Sequence, residues 1–161
     1  MIFVYDRTVD DLMRAEELSI KIDQSGFASL TPTEHEEWMS GLRGCYNATD
    51  LARVDANTIE IAAALTAAAR PVSIEPYTGW TRSSMPTQSA MARIRRNILA
   101  LRSAIAVPVD TPAVPGSLDA MDIQKANAIE QILYAVNMMS GNIGERMQRV
   151  NIIRAGEGAL L

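Results

Sequence analysis

Apolar residues along the chain fall into blocks with a helical period, separated by breaks rich in Pro, Gly and polar residues. Residues 2–5 read as a short extended arm. Thr8 then reads as an N-cap with Asp10 and Asp11 in the first helical turn, followed by a stripe of Val9, Leu12, Met13 and Ile20 that Glu16 interrupts; Gly26 is the expected stop. Thr31-Pro32-Thr33-Glu34 is a capping box with Pro at the first helical position. It opens a short helix that carries Trp38, Met39 and Leu42 and ends between Gly41 and Gly44. Asn47-Ala48-Thr49-Asp50 starts a third helix. Its Leu51, Val54, Ile61, Ala62, Leu65, Ala68 and Ala69 share one broad face up to Arg70-Pro71. Residues 71–86 hold Pro71, Pro76, Gly79 and Pro86 and read as an extended crossing pinned by Ile74, Tyr77 and Trp80. A fourth helix begins near Thr87, with Met91, Ile94, Ile98, Leu101 and Ile105 in period and Arg93, Arg95, Arg96 and Arg102 on its other sides.

Pro108, Pro112 and Pro115 mark a stiff linker, 108–118, between a helical body (1–107, with its arm) and a last segment (119–161). Ser117 or Asp119 is expected to cap a long helix over about 122–150. Along it Ile129, Ile132, Val136, Met139, Ile143 and Val150 recur at nearly heptad spacing. Two readings fit that spacing, a short coiled coil and an amphipathic helix lying in the chain's own core. The tail, with Ile152, Ile153, Leu160 and Leu161 around Gly156-Glu157-Gly158, reads as an extended arm or hairpin. The expected fold is all-α: about five helices in one structural unit, with short extended arms, able to pair as strands, at both termini.

Composition narrows the function classes. The 161 residues are 48% hydrophobic but only 5% aromatic, which favours closely packed helices over a β-sandwich. One Cys and one His exclude a disulfide framework within the chain and most Cys- or His-based metal sites. There is no uncharged apolar run of about 18 residues, so no membrane span is expected. The start, Met1 to Tyr5, meets Asp6 too soon to read as a signal peptide. The net charge of −4 hides an uneven distribution. Residues 1–60 hold 12 acids and 5 bases, 61–109 one acid (Glu75) and 6 bases, and 110–161 6 acids and 4 bases. An acidic first third and an arginine-rich middle suit pairing within the chain or between subunits.

Candidate chemistry is sparse. His35-Glu36-Glu37-Trp38-Met39 starts like a zinc-protease motif but has no second His. The adjacent acids Asp10/Asp11, Glu16/Glu17 and Glu36/Glu37 point apart on a helix and carry no sign of the separated pKa values that acid–base catalysis needs. Cys45 has only His35 as an available base, and a small buried apolar role suits it better. Gly156-Glu157-Gly158 lacks the strand and helix that frame a phosphate loop. The Arg93-Arg95-Arg96 cluster could touch phosphate, but the overall balance is acidic and salt bridging suits it better.

The run Gly41-Leu42-Arg43-Gly44-Cys45-Tyr46-Asn47-Ala48-Thr49-Asp50-Leu51-Ala52-Arg53-Val54 resembles a group of small helical proteins, annotated mostly as tail or minor structural proteins, from phages and prophages of Gram-positive bacteria. Weaker blocks extend the similarity over nearly the whole chain. They are Tyr5-Asp6-Arg7-Thr8, Glu36-Glu37-Trp38-Met39, Trp80-Thr81-Arg82 with Pro86-Thr87, Ala126-Asn127-Ala128-Ile129-Glu130 with Ile132-Leu133, and Ala155-Gly156-Glu157. Relatives often carry an acid where this chain has Ser84. The resemblance implies a virion structural protein of the tail, baseplate or fibre-attachment region, made in the host cytoplasm. Its partners would be copies of itself and other virion proteins. Neither enzymatic activity, cofactor, membrane nor direct nucleic-acid contact is expected. The expected assembly seam is Ile129, Val136, Met139, Ile143 and Val150, with Ile152 and Ile153 in the tail. Trp38, Tyr46, Asn47, Asp50 and Arg53 are read from their own positions as a fold-specifying corner, where one helix stops and the next is capped. The competing readings are a head–tail connector, a non-viral helical regulatory or nucleic-acid-binding module, and an enzyme using His35, Cys45 or Glu36/Glu37.

Overall fold

A computed structural model of the chain describes residues 1–157, and their side chains as far as residue 145. Five α-helices follow in order: α1 (Val9–Ser25), α2 (Pro32–Ser40), α3 (Ala48–Ala67), α4 (Gln88–Ala104) and α5 (Ile123–Glu157). A 3-10 turn, Phe27–Ser29, lies between α1 and α2. The fold is all-α, and no strand occurs among the described residues.

The helix starts are set by local chemistry. Thr8, Thr31 and Asn47 each accept a hydrogen bond from the backbone N–H three residues on, and the carboxylates of Asp11, Glu34 and Asp50 each accept one from the N–H of the cap residue, completing three capping boxes. Thr87 caps α4 by accepting from the Ala90 N–H at 3.2 Å. α5 departs from expectation, because Asp122 is its cap. The Asp122 carboxylate accepts the Lys125 N–H at 2.7 Å, while Ser117 and Asp119 bond to each other in the preceding turn. α1 stops at Gly26 with φ +77°, and α3 ends at Ala67, capped by Ala68 and followed by Ala69 with φ +57°, two residues ahead of Pro71.

Two cores organise the helices. The larger packs α3, α4 and α5 around Leu51, Val54, Ile61, Leu65, Ile94, Ile98, Leu101, Ile129, Ile132, Leu133 and Val136. Each such side chain contributes about 1.5–3 kcal/mol on burial. The smaller joins α1 and α2 through Ala15, Leu18, Leu30 and Leu42, with Ile22 and Trp38 against them. Ala15 and Leu18 point inward, and the more apolar stripe of Val9, Leu12, Met13 and Ile20 is exposed. Ion pairs to α2 flank this apolar contact: Arg14 to Glu37 at 2.8 Å and Lys21 to Glu34 at 2.7 Å.

Both long irregular segments are strapped to α4 by its arginines. Arg93 binds Asp55 of α3 through both terminal nitrogens, at 2.8 and 2.7 Å, and also donates to the Glu75 carbonyl. Asn97 donates to that same carbonyl and accepts from the Glu75 N–H. The Trp80 indole N–H donates to Asp55 at 2.6 Å, so the 71–86 crossing is fastened to one buried carboxylate directly through Trp80 and by way of Arg93 at Glu75. Residues 108–118, read from sequence as a spacer, lie against the helix. Arg95 donates to the Pro115 carbonyl, Arg102 to those of Pro112 and Thr111, and Leu118 is buried.

α5 differs from expectation at both of its halves. Ile129 and Val136 are fully buried in the chain's own core, so neither serves as a seam with a neighbour, and Met139 and Ile143 pack partly against that core. The tail expected as an extended arm continues the helix to Glu157. With no Pro after Pro115, adding a residue to an existing helix is favourable, and Gly156 falls where its cost of about 1 kcal/mol is least felt. Val150, Ile152 and Ile153 lie on this stretch, and their side chains, like Leu160 and Leu161, fall outside what is described.

Candidate functional site: a buried ion cluster that locks the arm

The most unusual chemistry in the molecule lies where the N-terminal arm crosses α3 and α5. Glu130 of α5 is fully buried. Its carboxylate accepts from the Val4 N–H at 2.7 Å, from Arg7 Nη2 at 3.3 Å, and from Arg53 Nε and Nη2 at 3.2 and 2.5 Å. Asp50 accepts from Arg7 Nη2 at 2.7 Å and from Arg53 Nη2. The other Asp50 oxygen accepts the Asn47 N–H of the α3 cap. Two arginines and two carboxylates thus balance in a site whose Arg7 side chain is only 1% exposed. Burying charge is tolerable only with such mutual pairing.

Amide side chains complete the clamp. Asn127 accepts the Arg7 N–H at 3.0 Å and donates to the Arg7 carbonyl at 2.8 Å, as a neighbouring strand would. Asn57 donates to the Ile2 carbonyl at 2.7 Å. The arm is therefore extended, but side chains of α3 and α5 pair with it in place of a β-ladder. Phe3 and Tyr5 flank Tyr134, with ring centroids at 5.6 and 5.3 Å.

Tyr46 forms the wall of the cluster. The Arg7 guanidinium sits 5.7 Å from its ring centroid, a cation–π contact. Burial first, then the Glu130 and Asp50 charges, push the Tyr46 phenol well above its ordinary value. The Tyr46 hydroxyl and Arg7 Nε are buried without a hydrogen-bond partner among the described residues. For Arg53, burial opposes the charged form, but hydrogen bonds to Glu130 and Asp50 outweigh it and hold the guanidinium charged.

The corner named from sequence is brought together only in part. Tyr46, Asn47, Asp50 and Arg53 meet at the cluster, whereas Trp38 belongs to the smaller core. Gly44 explains its own place in the motif: a Cβ there would lie 2.1 Å from the Asp11 carbonyl oxygen, so the turn can pass the start of α1 only as glycine. Sequence reasoning missed Arg7 and Glu130 as members. Both lie inside the weaker blocks of the resemblance, and that was the available signal.

The remaining candidates lie elsewhere. His35 stacks edge-on against Phe27 at 4.4 Å. Glu37 is held by Arg14 and Glu36 is exposed. Cys45, expected to be buried, is exposed on the turn after Gly44; partial burial, then the Asp50 charge, push its thiol up. Among the described residues no group of three or more His, Cys, Asp or Glu side chains could hold a metal ion, and no helix is long and apolar enough to cross a membrane.

No protein-family model, curated protein or solved structure matches the chain.

Proposed function

We propose that the protein is a structural component of a phage virion, in the tail, baseplate or fibre-attachment region, acting through assembly with copies of itself and other virion proteins. One observation carries this reading. The most specific block of the resemblance, Tyr46–Val54, supplies Asp50 and Arg53; the Tyr5–Thr8 block supplies Arg7; and the Ala126–Glu130 block supplies Asn127 and Glu130. Three blocks separated by up to 123 residues converge on one buried cluster. Blocks that share a physical task behave as one fold signature. The cluster's charges are spent on each other, which suits a fastening that holds an arm and leaves surfaces for neighbours. The proposed seam is Met139 and Ile143 with Val150, Ile152 and Ile153, the last three lying where only the backbone of α5 is described.

Disrupting the gene in the phage or prophage that carries it tests the proposal. Particles that lack part of the tail or fail to attach fibres support it. Normal, fully infectious particles overturn it. A head–tail connector would instead leave filled heads without tails.

A further inference from the structure

We infer that α1 of one copy docks on α4 of a second copy, in a head-to-tail contact between two different faces of the same chain. This deepens the assembly reading and rests on it. The core-facing side of α1 is Ala15 and Leu18. The opposite side presents Val9, Met13 and Ile20 at 62%, 60% and 49% exposure, spaced by helical turns with Glu16 between them. Asp10, Glu17 and Asp23 flank the stripe. Asp10, Glu16 and Asp23 have no cationic partner among the described residues, and Glu17 has only an exposed pair with Arg14.

α4 offers the complement. It carries no acid. Away from its buried Met91, Ile94, Ile98 and Leu101, it exposes Ala92, Arg96 and Leu99, edged by Arg95 and Arg102. Of these arginines, only Arg96 reaches a carboxylate among the described residues. That partner is Glu75, and the pair is more than half exposed on both sides. Arg95 and Arg102 spend their hydrogen bonds on backbone carbonyls and keep an uncompensated charge. Both helices are 17 residues long, about 25 Å; the exposed stripe runs about 16 Å along α1 from Val9 to Ile20 and about 10 Å along α4 from Ala92 to Leu99. An acidic apolar ridge and a basic one repel themselves and attract each other. The occupant of each is therefore the other face of another copy, and a contact between unlike faces builds rings or filaments.

Sedimentation velocity on the full chain tests this with two variants at exposed positions. One reverses α1 (Glu16→Arg with Asp23→Arg). The other reverses α4 (Ala92→Glu with Arg96→Glu). Circular dichroism checks that each keeps its helices. The unmodified chain should associate with rising concentration and less so with added salt. Each variant alone should lose at least about tenfold in association constant, and an equimolar mixture should recover it. A chain that stays monomeric at every concentration overturns the inference. So does a mixture that fails to recover, or an α4 face that binds random DNA duplex in place of the chain. A monomeric chain still found in particles would remove this contact and leave the virion reading. An associating chain absent from particles would do the reverse.

Discussion

Replacing Glu130 with Ala is the sharpest perturbation of the arm lock. The carboxylate is fully buried and accepts four hydrogen bonds, one from the Val4 backbone and three from two guanidinium groups. With it removed, Arg7 and Arg53 share only Asp50, leaving one buried positive charge uncompensated. Breaking a buried pair from one side costs roughly 3–5 kcal/mol, against about 0–1 kcal/mol for a surface pair. For a chain of this length, 1 kcal/mol moves the melting temperature by about 2–4 °C, so a fall of about 6–20 °C is expected. Thermal and urea unfolding of Glu130→Ala, Arg7→Ala and the double variant give the assay. The double variant should lose less than the sum of the singles, because removing both partners restores charge balance. A Glu130→Ala loss below about 1 kcal/mol would refute the buried-lock reasoning, since it would equal the value of a solvated pair.

Other expectations are independent of that one. Asp55→Ala strips Arg93 and the Trp80 indole of a shared, buried acceptor. It should cost roughly 3 kcal/mol and change Trp80 fluorescence; unchanged emission would show that the crossing is held otherwise. Tyr46→Phe removes a buried hydroxyl without a partner and should leave stability equal or raised by up to about 1 kcal/mol. A loss larger than that would reveal a bond to the hydroxyl. Glu34 is held down to about 2, first by the hydrogen bond from Lys21 and then by that from the Thr31 backbone. A depressed carboxylate stabilises the fold above its ordinary value of 4.5, and that contribution disappears as pH falls from there toward about 2. Glu34→Gln should flatten this part of the acid-unfolding profile, and an unaltered profile would contradict the assignment. Gly44→Ala drives a Cβ onto the Asp11 carbonyl and should lower the melting temperature well beyond a surface substitution. A change under about 0.5 kcal/mol would show that the turn can shift.

Helix starts were legible in the sequence because capping is local: Thr8, Thr31, Asn47 and Thr87 all cap where their own neighbours say they should. The start of α5 was not. Ser117, Asp119 and Asp122 are equally good caps in isolation, and it is Asp122 whose carboxylate accepts the Lys125 N–H. The inward face of α1 was not legible for a related reason. Its exposed stripe is the more apolar one, and the packing of Ala15 and Leu18 against Leu30, Leu42 and Trp38, with the ion pairs beside it, needs α2 in place. The corner at Tyr46 to Arg53 was visible as a helix boundary. Its partners were not, because nothing local to Glu130, next to the core residue Ile129 and two before Ile132, reveals that its counter-ion lies at Arg7. The basic middle of the chain was visible as composition, and its use as a set of straps became apparent only through the carbonyls of 75, 111, 112 and 115.

The virion assignment is tested most directly by quantitative mass spectrometry of gradient-purified particles from the phage or induced prophage that carries the gene. The chain should be present in intact particles at a fixed copy number relative to the tail proteins, retained through salt washing and released with tails when heads are removed. Its absence from purified particles, while it is abundant in the lysate, would contradict the account.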